Sequence, residues 1–123
     1  MKSVFVASSR KYYDKIKEIK TKLDDLGIKG HYPYFDFHND SIENNEEIKK
    51  KLTLNHFPEI DEIDILYVYA KDGYVGYSVT IEITYAYARG KEIISSEPIK
   101  ELAVRALISK VMAPEEFINY ASQ

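Results

Sequence analysis

Residues 65–70, ILYVYA, form an unbroken apolar run in the middle of the chain. The run shows no alternation of polar and apolar residues, which is the pattern of a parallel strand buried on both faces. Parallel strands need crossover connections, and these usually contain a helix. The run therefore predicts the centre of a parallel sheet that helices cover on both sides.

Strand and helix patterns alternate on either side of this run. A β-rich stretch at 3–7 comes first, and a helical pattern from Lys11 to Leu26 is stopped by Gly27. The other predicted strands are 28–37, 91–95 and 104–109. Four more helices are predicted: one after a cap at Asp40 and Ser41, one after Tyr77, one over 97–103 and one that begins at Pro114. This alternation predicts a three-layer α/β sandwich with a five-stranded parallel sheet of order 2-1-3-4-5, flavodoxin-like or Rossmann-like.

Composition and charge narrow the class of protein. The chain has 123 residues, so residues 1–123 are predicted to form one domain. A net charge of −3 argues against a nucleic-acid partner, because phosphate binding needs a concentrated basic face. There are no cysteines for disulfides or zinc-thiolate sites, and no apolar run approaches the ~18 residues of a membrane span. We expect a cytoplasmic protein without a membrane partner, and interpret the lysine-rich helix 11–22 as a solvated face.

The fold predicts where a ligand would bind. In sheets of this kind the site lies beyond the carboxyl ends of the strands, where the strand order reverses. This rule selects the loops 8–13, 34–40 and 70–78. Gly73 and Gly76 in the third loop let a ligand approach the backbone closely, and the helix that follows has N-terminal amides that favour an anion.

Glu82 is the one acid near the start of that helix. Ile81 and Ile83 flank it, and Tyr85 and Ala86 share its helical face. A carboxylate in such surroundings loses solvation and needs either a raised pKa or a specific donor. The alternative is an acid that merely complements the helix dipole, with Ser78 or Thr80 capping the same helix.

The stretch 80–91, TIEITYAYARGK, preceded by an Asp-Gly loop, resembles the nucleoside 2-deoxyribosyltransferase superfamily, whose motif is roughly G-T-x-x-E-[IL]-G-x-A. The resemblance implies that Glu82 is the nucleophile that captures the sugar C1′. It also implies that Asp72 assists at the departing base or the sugar. The chain departs from the pattern at Thr84, where the motif has glycine and a different packing of the helix on the sheet is expected. It departs again around His56, near which transferases carry a further aspartate; Pro58 interrupts the same segment.

A second resemblance concerns the turn after the first strand. The sequence VASSR at 6–10 is similar to the G-S-I-R turn of the deoxynucleoside 5′-monophosphate N-glycosidases, a hydrolytic branch of the same superfamily. This similarity implies that Ser9, Arg10 and Ser78 hold a 5′-phosphate. Tyrosines on the predicted loops can stack on a base or simply pack. The predicted substrate-binding residues are Ser8, Ser9, Arg10, Tyr12 (or Tyr13), Tyr34, Gly76 and Ser78.

Together these resemblances imply an enzyme of nucleotide metabolism that transfers a 2-deoxyribosyl group between bases of small-molecule nucleosides or nucleotides. Two alternatives stay open: hydrolysis of a deoxynucleoside 5′-monophosphate, and a TIR-like domain that binds nucleotide or NAD or signals, suggested by SVFVASS at 3–9. No cofactor is implied, and the histidines match no metal-ligand spacing. Because relatives complete their sites with a neighbouring subunit, the resemblance implies a homodimer or larger homo-oligomer, for which the apolar residues of 74–87 are the candidate interface.

Overall fold

The computed structural model describes residues 1–35 and 45–123, which contain one five-stranded parallel sheet of order β2-β1-β3-β4-β5. Its strands are β1 Val4–Ser8, β2 Gly30–His31, β3 Ile65–Tyr69, β4 Glu92–Ser95 and β5 Lys110–Val111. The helices are α1 Tyr13–Asp25, α2 Glu46–Asp61, α3 Tyr77–Ala88, α4 Leu102–Arg105 and α5 Pro114–Ser122. The predicted fold class and strand order are confirmed. None of the helices in these two ranges has the length and apolarity to cross a bilayer.

Successive side chains of the central strands enter different cores, because neighbouring residues of a strand point to opposite faces. Val4 and Val6 of β1 pack with α1 and α5, whereas Phe5 and Ala7 pack with α2 and α3. Each is at most 1% exposed, and fully burying a valine or phenylalanine side chain contributes about 1.5–3 kcal/mol. The apolar run that marks β3 divides between the two cores in the same way, which produces the three layers.

The helix predicted at 97–103 and the strand predicted at 104–109 both have the wrong bounds. Helix α4 covers Leu102–Arg105, half in each predicted segment, and strand β5 follows it at Lys110–Val111. The Glu101 side chain accepts a hydrogen bond from the Val104 N–H at 2.9 Å and caps this helix. Val104 then packs into the core from the helix. A short apolar run fits a buried helix turn as well as a strand, so periodicity alone misassigned it.

Strand β2 is shorter than the predicted 28–37. Among the described residues of this segment only Gly30–His31 pairs with β1, and residues 32–35 leave the ladder; 36–37 lie outside the described residues. Pro33 has no N–H to donate, so the strand cannot continue through it as a full member of the sheet.

Helix α2 begins at a cap other than the predicted one and passes through a proline. Asn45 is the N-cap, and its side chain accepts from the Ile48 N–H at 3.0 Å. The predicted cap at Asp40 and Ser41 lies outside the described residues. Pro58 does not interrupt the helix, which runs on to Asp61. A helix can absorb the lost N–H where the proline faces outward, and Pro58 is exposed.

We predict that Gly73→Ala destabilises the protein more than Gly90→Ala. Both glycines have left-handed φ angles, +76° and +75°, so alanine at either costs about 1–2 kcal/mol. A Cβ at Gly73 would also lie 2.5 Å from the Pro98 carbonyl oxygen, whereas nothing lies within 4 Å at Gly90. Overpacking of this kind adds about 1–3 kcal/mol. Urea unfolding of the two variants measures the difference, and equal losses would contradict the close approach at Gly73.

Candidate active site

A cavity of about 810 Å³ opens at the carboxyl end of β1. Its volume lies within the range of small-molecule sites. The chain leaves β1 for β2 on one side and later returns to β3 on the other, so this edge is the switch point in strand order. Walls come from the turn after β1 and the start of α1, from 33–34, from one face of α2, and from the loop and first turns of α3. The edge predicted from the fold therefore carries a cavity.

Glu82 lies in the cavity wall with its side chain only 9% exposed. Ile83 and Ala86, its neighbours on α3, are fully buried. Its Oε2 atom lies 2.5 Å from Nδ1 of His56, which belongs to α2. This contact gives the desolvated carboxylate a specific partner.

The ring of His56 is held on two sides. Tyr34 stacks on it with ring centroids 5.0 Å apart and planes at 24°, and Phe5 meets it edge-on at 5.1 Å. The Tyr34 hydroxyl donates to Glu59 at 3.3 Å, and burial together with that carboxylate raises the pKa of Tyr34 above its ordinary value. Nε2 of His56 is buried and has no hydrogen-bond partner in the described parts of the chain. Tyr34, predicted to stack on a base, lines the cavity but already covers one face of this imidazole.

His56 was noted in the sequence only as a departure from a family pattern, yet it belongs to a periodic set. Lys49, Leu52, Thr53 and His56 recur at helical spacing and all line the cavity. The helical spacing alone could have placed these residues on one face of α2. It could not show that this face turns toward Glu82.

The turn after β1 contributes three of the predicted substrate-binding residues. Ser8, Ser9 and Arg10 all line the cavity. The Ser8 hydroxyl, at the buried end of the strand, donates to the Ser9 carbonyl oxygen at 2.9 Å. Ser9 is extended, and the chain turns after it into a short 3₁₀ helix that starts at Arg10. The structure therefore places the predicted turn beside the carboxylate wall of the cavity.

The start of α3 forms the opposite side of the cavity, where Gly76 and Ser78 line it. Gly76 is the N-cap, so the prediction that Ser78 or Thr80 caps the helix is wrong. The Thr80 hydroxyl instead donates back to the Gly76 carbonyl oxygen at 2.8 Å. The Ser78 hydroxyl accepts from Lys49 Nζ at 3.2 Å, which brings an ammonium group to the amides of the first helical turn.

The side chains that line the cavity carry a net positive charge, counted without the histidine. Part of the lysine-rich helix 11–22, interpreted as solvated, faces the cavity instead. Among residues 1–35 and 45–123 no group of three or more His, Asp or Glu side chains could hold a metal ion. The charged side chains that line the cavity are the cations Arg10, Lys11, Lys17 and Lys49, and the carboxylates Asp14 and Glu82.

Two predicted site residues are not brought into the cavity. Asp72 lies in the exposed turn Lys71–Gly73 with a left-handed φ of 58°, and its N–H donates to Glu97 at 3.2 Å. Tyr12 packs edge-on against Tyr69 with ring centroids 5.7 Å apart. Neither residue lines the cavity, so this geometry does not support their predicted contacts with substrate. The neighbouring Tyr13, the alternative to Tyr12, does line it.

Thr84, which replaces the glycine of the family motif, is exposed on α3, and its hydroxyl donates to the Thr80 carbonyl oxygen at 2.8 Å. The packing difference expected at this position stays a prediction.

Solved structures with the same fold include proteins of known activity. A 2-deoxyribosyltransferase from Bacillus psychrosaccharolyticus matches with a TM-score of 0.69 and 17% identity over 96% of this chain and 91% of its own. The CMP N-glycosidase BcmB of Clostridium botulinum matches with a TM-score of 0.60 and 20% identity over 98% and 99%. A conserved protein from Enterococcus faecalis V583 matches with a TM-score of 0.67 and 13% identity over 97% and 96%. No protein-family model and no curated protein matches the chain. At these identities the shared feature is the fold, and it is the fold that the sequence resemblance implies.

Proposed function

We propose that the chain is an enzyme that breaks the N-glycosidic bond of a nucleotide or nucleoside, with Glu82 as the nucleophile. The observation that carries this proposal is a desolvated carboxylate, held by a buried partner, in the wall of an open cavity at the switch point of the sheet. The activities named for two structures of the same fold, 2-deoxyribosyl transfer and CMP N-glycoside cleavage, support it.

In this proposal the Glu82 carboxylate attacks the sugar C1′ as the bond from C1′ to the base nitrogen breaks. The electron pair of that bond leaves with the base, which takes up a proton from water in the open cavity. The transition state has oxocarbenium character, and a covalent glycosyl ester forms on Glu82. A second base or a water molecule then attacks C1′, gives up a proton to the hydroxide that the first step left, and frees the carboxylate. With a base as acceptor the enzyme is a 2-deoxyribosyltransferase, and with water as acceptor it is an N-glycosidase.

The charge of the cavity supports a 5′-phosphorylated substrate. Ser9 and Arg10 on one side and Ser78 on the other are the residues implied by family resemblance, and Lys49 adds a cation beside Ser78. An arginine fork, an ammonium group and hydroxyls near a helix N-terminus suit a phosphate dianion. This feature favours hydrolysis of a nucleoside 5′-monophosphate over the other readings. Transfer between bases is the second candidate, because a transferase has the same fold.

We predict that Glu82→Gln lowers the rate of bond cleavage by about 1,000-fold or more, because the amide is a far weaker nucleophile. Chromatography of the products distinguishes the candidate reactions. Free base released from a deoxynucleoside or ribonucleoside 5′-monophosphate indicates the hydrolase, and deoxycytidine formed from deoxyadenosine and cytosine indicates the transferase. The control is Glu116→Gln, an exposed acid on α5.

Three outcomes would overturn this assignment. They are full activity in the Glu82→Gln variant, loss of activity in the Glu116→Gln control, and cleavage of NAD with release of nicotinamide in place of either reaction. The last outcome would favour the TIR-like alternative.

Phosphate recognition predicts a substrate-dependent effect. Arg10→Ala and Lys49→Met should each lower kcat/KM for a 5′-monophosphate by about 10- to 100-fold, the size of a lost charged hydrogen bond, and change it little for the nucleoside. Lys50→Met is the matched control, because Lys50 is the exposed neighbour on α2 and does not line the cavity. Equal losses on nucleotide and nucleoside would remove the phosphate role.

We further propose a homodimer through the outer face of α3. Tyr77 is 93% exposed there, and Ile81 and Tyr87 are also exposed, so this helix is apolar on its outer as well as its inner face. An apolar outer face on a helix favours contact with another surface. Because Tyr77 lines the cavity, such a contact would lie beside the site.

Light scattering on a sizing column tests the dimer. We expect a dimer for the parent chain and a monomer for Ile81→Lys, because the lysine would bury a charge in the interface. Leu102→Lys, at an exposed leucine on α4, is the control and should remain a dimer. A monomeric parent chain would contradict the proposal.

A further inference from the structure

We infer that His56 is the positioning residue for Glu82: as a neutral imidazole with its proton on Nδ1, it donates to one carboxylate oxygen. Glu82 is thereby kept ionised and oriented, with its second oxygen left for the sugar. The consequence for rate rests on the proposed function. The contact between His56 and Glu82 and the protonation state of the imidazole do not depend on the proposed function.

The protonation state follows from the surroundings of the two ring nitrogens. Nδ1 lies 2.5 Å from Glu82 Oε2, so a proton must lie between them. Nε2 is buried without a partner among the described residues. An imidazolium, or a neutral ring that accepts from a protonated carboxyl, puts an N–H on Nε2 and leaves a buried donor unsatisfied. The neutral Nδ1–H tautomer instead leaves Nε2 as an unpaired acceptor, and we assign it because its one N–H is paired, with Glu82 as the accepting carboxylate.

The ring is held so that Nδ1 points at the carboxylate. Tyr34 covers one face and the edge of Phe5 meets the ring nearly at right angles, at 75°. Tyr34 is tied to α2 through its bond to Glu59. A donor fixed in this way keeps the Glu82 side chain in one rotamer without the entropy cost of ordering it during the reaction.

Two substitutions distinguish the effect of the Nδ1–H donor from the effect of the aromatic ring. His56→Phe keeps an aromatic ring between Tyr34 and Phe5 but removes the N–H. His56→Asn removes the ring but keeps an amide N–H at the position of Nδ1. If His56 acts through its hydrogen bond, kcat falls about 10- to 100-fold in the phenylalanine variant with KM changed less than about 3-fold, and asparagine restores most of kcat. A packing role predicts the reverse order.

Kinetics on both variants, with thermal unfolding to verify that each is folded, tests the positioning role. Parent-like kcat in His56→Phe, or equal losses in both variants, would overturn it. Should His56→Phe fail to fold, low kcat in a folded His56→Asn variant would overturn it just as well.

A second measurement needs no activity. Two-bond ¹H–¹⁵N correlation spectra of the imidazole rings near neutral pH should show one histidine with a protonated Nδ1 and an unprotonated Nε2. The signal is assigned by its absence in His56→Asn, and Glu82→Gln should shift it. A proton on Nε2 would overturn the inference even in an active enzyme. Conversely, if the chain cleaves no N-glycosidic bond but shows the expected tautomer, the proposed function is contradicted and the inferred His56 contact is still supported.

Discussion

Burial of the two central strands on both faces is the constraint on which the rest of this structure depends. Alternate residues of β1 and β3 enter two separate cores, so helices must cover both sides of the sheet. Parallel strands then end at one common edge, and the reversal of strand order at β1 leaves a gap between the loops there. The cavity is therefore a consequence of topology, and the residues around it supply the chemistry.

Within that cavity two ionisable side chains that are costly to desolvate lie side by side. Glu82 and His56 are nearly buried, and they face each other from helices α3 and α2. Burying ionisable groups adds little to stability compared with apolar residues of similar size, so such a pair is weak support for a structural role. The proposed function, in which this carboxylate attacks a sugar, accounts for the arrangement better. The cations around the same cavity fit the phosphorylated substrate of that proposal.

The structure brings some of the predicted site residues into the cavity and leaves others out, for a physical reason. Glu82, singled out by its apolar neighbours, and Ser9, Arg10 and Ser78, implied by short motifs of the resemblance, all line the cavity. Asp72, implied by the same resemblance, does not line it. Its left-handed turn instead directs its backbone N–H to Glu97. Position just after a strand predicts an edge of the sheet, but it does not predict which way a turn faces.

The sequence by itself determined the fold class, the strand order, the edge that carries the cavity and the acid in its wall, because hydrophobic periodicity and turn residues are local properties of the chain. Only the tertiary structure decided that His56 is the partner of Glu82, that Lys49 reaches Ser78 and that helix α4 extends into a segment predicted as strand. His56 and Glu82 are 26 residues apart and meet through the packing of α2 against α3. The spacing of residues within one helix reveals which of them share a face, but the surface that this face meets is set by packing between elements.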